Sequence, residues 1–246
     1  MSNPFPTAVV TGASRGFGRA IAAALLAKGS GVVGIARGEA DLRAAGEDLG
    51  DGFTPLAGDA TDETLAQNVI RDHRPRLIVL NAGITPHMAP VQEQTWKTFT
   101  SNWNNDTRHV FTWIRASLRS PLAPGSVVVA MSSGAALVGS PLSGGYASAK
   151  AGIRYIRSYA ADESERGGLG IRFVALLPQL TPATGLGSSG VDGYAARQGI
   201  DRETFIRGLQ PILTPERVAE AVLQIAADAD GGPEYQVSGG GLRPIA

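Results

Sequence analysis

The sequence predicts a single α/β domain, a doubly wound parallel sheet of about seven strands with helices on both faces. Three observations carry that expectation. Short, nearly continuous apolar runs alternate with helical patterns along the whole chain, the arrangement of βαβ units. A glycine-rich turn, Thr11-Gly-Ala-Ser-Arg-Gly-Phe-Gly18, joins the first apolar run to the first helical one. The chain of 246 residues is long enough for one well-buried core and need not be split into two.

Taken in order, Thr7–Thr11 reads as the first strand, and Gly18–Lys28 as an alanine-rich helix ended by Gly29. Gly31–Ala36 is the second strand, followed by a helix near Glu39–Leu49. Thr54–Gly58, Leu77–Leu80, Ser126–Ser132 and Ile171–Leu177 supply four more strands. Their unbroken apolar character is what strands covered on both faces require. Helices are expected at Asp62–Asp72, at about Trp96–Arg119 with a break, and at Tyr146–Arg166. Thr214-Pro-Glu-Arg opens a last helix, Thr214–Asp228, with proline at its first position. Tyr235–Val237 is the final strand. Between them, residues 181–210 are rich in Gly, Ser, Thr and Pro and read as an irregular, mobile substrate lid on a domain spanning 1–246.

Composition narrows the function. Acidic and basic residues balance at 22 each, and the formal net charge is zero, so nothing marks a nucleic-acid or anionic-membrane surface. No cysteine is present, which removes thiolate nucleophiles and cysteine-ligated zinc. His73, His87 and His109 lack metal-ligand spacing and read as surface or packing residues, with His87 closest to the expected cleft mouth. Trp96, Trp103 and Trp113 read as core or interface residues. The N-terminus lacks a signal-like apolar core, and no apolar run approaches membrane-spanning length. The expected location is the cytoplasm.

Chemistry is concentrated in two places. Gly12, Gly16 and Gly18 follow a strand and precede a helix, where glycine lets the backbone approach a pyrophosphate. Their spacing is Gly-x-x-x-Gly-x-Gly, which differs from the Gly-x-Gly-x-x-Gly dinucleotide fingerprint. Tyr146 and Lys150 stand four apart, on one face of a helix. A cation near a phenol favours its ionised form, so the phenol exchanges protons more readily near neutral pH. Ser133 lies upstream, and Lys150 is one of only three lysines, with Lys28 and Lys97.

The chain resembles a short-chain dehydrogenase/reductase over essentially its whole length. The resemblance rests on Thr11-Gly-Ala-Ser-Arg-Gly-Phe-Gly18, Asp59, Asn81-Ala-Gly83, Ser133, Tyr146-x-x-x-Lys150 and Pro178, in that order. It implies a single-domain Rossmann fold and hydride transfer between a nicotinamide cofactor and a small carbonyl or alcohol substrate. Tyr146 is then the general acid/base, Lys150 binds the nicotinamide ribose and assists the phenol, and Ser133 holds the carbonyl oxygen. Ser132, one residue out of register, reads as structural. The implied cofactor contacts are Gly12, Ser14, Arg15, Gly16, Phe17, Gly18, Arg37, Asp59, Ala60, Asn81, Ala82, Gly83, Tyr146, Lys150, Pro178 and Thr181. For Asp59 the alternative is a helix cap, and for the carboxamide contact the alternative to Thr181 is Thr184. A homodimer or homotetramer, joined through the helices flanking the fifth strand, is also implied.

The second strand ends Gly34-Ile-Ala-Arg37 with no acid at its tip, and Arg15 lies within the glycine turn. Two guanidiniums suit a 2′-phosphate, so NADP(H) is the expected cofactor, with NAD(H) the alternative through Glu39. Two positions depart from the family pattern. Asp106 occupies the slot of a relay asparagine and reads either as a backbone-carbonyl substitute or as a carboxylate facing Lys150. Gln179 follows Pro178 where glycine is usual. Three functions stay open on this reading: a carbonyl reductase or alcohol dehydrogenase, a nucleotide-binding regulator without redox activity, and a non-redox lyase or isomerase.

Overall fold

A computed structural model describes residues 5–245. Residues 1–4, where the N-terminal segment tested for a leader begins, lie outside the described residues.

The strands are β1 (Thr7–Thr11), β2 (Gly31–Ala36), β3 (Phe53–Ala57), β4 (Leu77–Leu80), β5 (Val127–Met131), β6 (Arg172–Pro178), β7 (Glu234–Ser238) and β8 (Gly241–Pro244). They form one sheet in the order β3-β2-β1-β4-β5-β6-β7-β8. Every pairing is parallel except β7 with β8. The helices are α1 (Gly16–Ala27), α2 (Glu39–Leu49), α3 (Glu63–His73), α4 (Trp96–Phe99), α5 (Arg108–Arg119), α6 (Ala135–Val138), α7 (Gly144–Arg166), α8 (Gly185–Gln198), α9 (Arg202–Arg207) and α10 (Pro215–Ala227).

Successive strand residues face opposite sides of the sheet, and here both sides are buried. Val10, Val79, Val129 and Leu176 pack on Ile21 and Leu25 of α1 and on Val218, Val222 and Ile225 of α10. Val9, Ile78, Val128 and Phe173 face the other way, onto Val69, Trp113, Ile114 and Ile153 of α3, α5 and α7. This double coverage explains why β1, β4, β5 and β6 read as continuous apolar runs.

Besides the short α6, three elements differ from the expected set. β8 adds an eighth strand, turning back through Gly239-Gly240, a two-residue hairpin connection with the glycines such turns favour. The helix expected near Trp96–Arg119 with a break is broken into three pieces: α4, a π-helical turn at Trp103–Thr107, and α5. Residues 181–210 are not irregular, because most of the segment folds into α8 and α9. Thr184 and Asp201 cap the starts of these helices, and Gly199 ends α8 in the left-handed conformation. The glycines that hid α8 allow close packing: a Cβ on Gly187 would lie 1.9 Å from the Thr181 carbonyl oxygen.

Candidate active site

The strand order reverses between β1 and β4, so the loops leaving their C-terminal ends diverge and open a crevice. The glycine turn lies here. Gly12 and Gly16 have φ of 68° and 55°, the left-handed region that favours glycine. A Cβ on Gly18 would stand 2.1 Å from the Gly12 carbonyl oxygen and 2.6 Å from Asn81 Nδ2, so α1 passes this close only without a side chain. Arg15 is the N-cap of α1 and makes no capping bond, which leaves first-turn N–H groups without a side-chain acceptor. Bare backbone, helix start and open crevice together fit a dinucleotide pyrophosphate. Ser14 is half-buried in the turn, and Phe17 packs against the core.

Arg15 and Arg37 are exposed, and neither guanidinium has an ion-pair or hydrogen-bond partner among the described residues. Glu39, the acid nearest the β2 tip in sequence, is held by Arg43 at 2.6 Å. Asp59 follows β3, and its carboxylate accepts hydrogen bonds from the Thr61 amide at 2.8 Å and hydroxyl at 2.9 Å. The amide bond first, then the hydroxyl and the charges of Arg37 and Arg108, outweigh burial and hold the Asp59 carboxyl below its usual range. Asp62 is the residue that caps α3, accepting from Thr64 and Leu65 amides, so Asp59 is not the helix cap. Ala60 is buried, and its carbonyl accepts from Trp113 Nε1 at 2.9 Å.

Asn81-Ala82-Gly83 is tied to the end of β1. The Thr11 hydroxyl accepts from the Asn81 and Ala82 amides at 2.9 and 3.1 Å, while Asn81 Nδ2 donates to the Thr11 and Gly12 carbonyls at 3.0 and 3.3 Å. The two turns therefore form one hydrogen-bonded wall. Across the crevice, β6 ends at Pro178, whose carbonyl accepts from the Gly134 amide at 2.9 Å, next to Ser133. Gln179 is exposed. Thr181 is buried, with its hydroxyl donating to the Leu213 carbonyl. Thr184 caps α8 and lies beside the glycine turn, 3.7 Å from where a Gly16 Cβ would stand.

Lys150 sits one turn along α7 from Tyr146, with Nζ 5.5 Å from the centroid of the tyrosine ring. The ammonium is 6% exposed and meets Asp106 Oδ2 at 3.2 Å, with the carboxylate 1% exposed. Of the two readings of Asp106, the carboxylate facing the lysine is the one the fold adopts. The π-helical turn carries Asp106 into this position, an irregularity found mostly at functional sites. Its other oxygen accepts from the Ile84 amide at 3.0 Å. Lys150 also donates to the Met131 carbonyl at 3.1 Å. Burial is the largest single influence and depresses the ammonium, but the Asp106 charge, the Tyr146 phenol oxygen and the Asp106 hydrogen bond together outweigh it and hold Lys150 above its ordinary range. Ser132 donates to the Lys150 carbonyl at 2.8 Å and is buried, a structural role. Ser133 is half-buried, and its hydroxyl accepts from the Ala135 amide at 3.2 Å. Among the described residues the Tyr146 hydroxyl has no protein partner, which leaves it available to a ligand.

His109 was expected to be a surface or packing residue, and it is fully buried one helical turn beyond Asp106. Neither ring nitrogen makes a hydrogen bond of normal geometry. Burial first, then the Lys150 charge, press its pKa down to about 3, against the opposing pull of the Ala82 backbone and Asp59. The signal was the three-residue spacing from Asp106, which places both on one helix face. Because the unfolded chain protonates this histidine near 6.5 and the folded chain only near 3, stability is lost as pH falls through that window. The slope is up to about 1.4 kcal/mol per pH unit. Denaturant titrations at pH 7 and pH 5 should show this loss, and His109→Leu should flatten it.

The described residues contain no cluster of His, Cys, Asp or Glu that could hold a metal ion. No helix among them is long and apolar enough to cross a membrane.

Comparison with known proteins agrees with this geometry. Over 231 residues the chain is 32% identical to a cis-4-hydroxycyclohexanecarboxylate dehydrogenase of Sinomonas cyclohexanicum, covering 90% of this chain and 89% of that protein. It is 32% identical over 176 residues to a 3-oxoacyl-(acyl-carrier-protein) reductase of Escherichia coli (strain K12), covering 65% of this chain and 68% of the relative. The fold matches a 3-ketoacyl-(acyl-carrier-protein) reductase of Brucella melitensis, solved with NADH, at a TM-score of 0.79 and 21% identity, over 95% of this chain and 97% of that one. The short chain dehydrogenase family model matches residues 6–192. The chain therefore belongs to the short chain dehydrogenase family of oxidoreductases.

Proposed function

We propose that the protein is an NADP(H)-dependent oxidoreductase that reduces a small ketone or aldehyde to an alcohol, or runs the reverse reaction. The observation that carries this is the phenol of Tyr146 beside a buried, charged Lys150, at the end of a crevice whose glycine turn fits a pyrophosphate. When bound, the nicotinamide supplies or accepts the hydride. Tyr146 gives the substrate oxygen its proton on reduction and takes it back on oxidation. Ser133 donates to the same oxygen as charge develops on it. Lys150 holds its cation beside the phenol and reaches the nicotinamide ribose. Asp106, through its contact with Lys150, is a positioning residue.

The 2′-phosphate falls to Arg15 and Arg37, two exposed guanidiniums with no ion pair or hydrogen bond among the described residues, while Glu39 is occupied by Arg43. Asp59-Ala60 and Asn81-Ala82-Gly83 border the adenine and its ribose. Pro178 and Thr181 or Thr184 border the nicotinamide. Residues 181–210, now seen as α8 and α9, are the substrate lid. The outward faces of α5 and α7 carry exposed Phe111, Tyr155 and Tyr159, which supports a homodimer or homotetramer through these helices, and the cytoplasm is the proposed location. The relatives named above for hydroxy and oxo substrates support the substrate class.

Turnover of a ketone and alcohol panel, followed by nicotinamide absorbance with NADPH and with NADH, tests the reading. Arg37→Ala should raise the KM for NADPH about 10-fold, the size of one lost charge-assisted contact, and leave the KM for NADH nearly unchanged. A panel with no turnover under either cofactor would reject the redox assignment.

A further inference from the structure

Three segments meet beyond the reaction centre. Pro90 and Val91, Phe99 of α4, Pro141 and the last turn of α8 enclose a cavity of about 280 Å³. Gly144 also lines it and lies two residues before Tyr146, about 3 Å along the helix axis. Ser133 and Tyr146 do not line the cavity, so it is separate from the catalytic hydroxyls and linked to them through the start of the helix that carries Tyr146, where the far end of a substrate could lie. Its size is at or just below the lower end for small-molecule sites, which suits a compact substrate.

The walls are mainly apolar, and the cavity contains one charged lining residue, Arg197. Of the uncharged polar residues there, Gln92 keeps a free amide among the described residues, while Ser140 and Gln94 are already bonded. Ser140 is bonded to Ser143 and Tyr194, and the Gln94 amide donates to the Ala89 carbonyl at 2.9 Å. The acids nearest on the same segment are also engaged, Asp192 with Arg202 and Asp201 with the start of α9. Arg197 has neither ion-pair nor hydrogen-bond partner among the described residues. The end of a helix explains an exposed basic residue at this position but does not require that residue to line a cavity, as Arg197 does. An arginine fork on an apolar wall matches a carboxylate bidentately.

We infer that Arg197 anchors a carboxylate on the substrate, which makes the natural substrate a small oxo acid or its hydroxy acid. The inference rests on the redox reading above. In reduction, the carbonyl carbon takes a hydride from NADPH and the carbonyl oxygen takes a proton from Tyr146. The products are a hydroxy acid and NADP+, and the carboxylate is unchanged at Arg197.

The test measures calorimetric binding of 4-oxocyclohexanecarboxylate and its methyl ester to the wild type, Arg197→Gln and Arg197→Lys. NADPH oxidation is followed in the same samples. The acid should bind about 10-fold more tightly than the ester. That preference should vanish in Arg197→Gln and largely return in Arg197→Lys, a recovery that a misfolded variant would not show. Equal binding of acid and ester, no binding of either, or an undiminished preference in Arg197→Gln would overturn the inference. Arg197-dependent binding of the acid without NADPH oxidation would count against the redox reading and leave the carboxylate site standing. Ester turnover without a preference for the acid would do the opposite.

Discussion

Tyr146→Phe should abolish most turnover while leaving the fold and nucleotide binding intact. The hydroxyl it removes has no protein partner among the described residues, so no internal hydrogen bond is broken. The ring remains, and with it the contact in which Lys150 Nζ lies 5.5 Å from the centroid. Stability should therefore change by no more than about 0.5 kcal/mol, as for a substitution that breaks no packing or buried bond. The rate should fall by about 10²- to 10⁴-fold, the contribution of one positioned general acid/base. Steady-state kinetics, with nucleotide affinity measured by fluorescence titration, separates the two effects. A rate within a few-fold of the wild type would remove Tyr146 from the mechanism.

Asp106→Ala should have the largest effect on stability. Lys150 and Asp106 form an ion pair with both side chains buried, and removing one partner strands the other charge away from water. Such breaks cost about 3–5 kcal/mol. The sign with pH follows from the raised pKa of Lys150. In the wild type the ammonium contributes its stability fully below about 10.5 and loses it only as pH climbs through the raised folded value. Without Asp106, burial, the largest influence on the amine, is opposed only by Tyr146, so the variant should lose most stability at neutral pH and recover part of it in alkali. Denaturant midpoints at pH 7 and pH 10 check this. Asp106→Asn, which keeps the shape, separates position from charge. It lifts the counter-charge from the ammonium, so the pH–rate profile for alcohol oxidation should move to lower pH. An unmoved profile would reduce Asp106 to a packing role.

The outline of this molecule was readable from local pattern. Strands β1, β4, β5 and β6 are apolar on both faces because helices cover both, and that leaves a continuous run in the sequence. The glycine turn was readable because its backbone conformations and close contacts exclude side chains. Tyr146 and Lys150 were readable because one helix carries both, and helical spacing alone sets their shared face.

Other features depended on residues far apart in sequence. Whether Asp106 faces Lys150 is decided by a π-helical turn that rotates one helix against another, and a chain position does not encode that rotation. α8 was hidden because its glycines lower intrinsic helicity, yet they allow it to pack close to the Thr181 carbonyl and Met88. The pKa of His109 near 3 comes from complete burial beside a charge on another helix, and Arg197 gains meaning only where three segments distant in sequence meet around a cavity. Local pattern is set by the geometry of neighbouring residues. The electrostatics of a buried group are set by everything packed around it, which the sequence determines only through the finished fold.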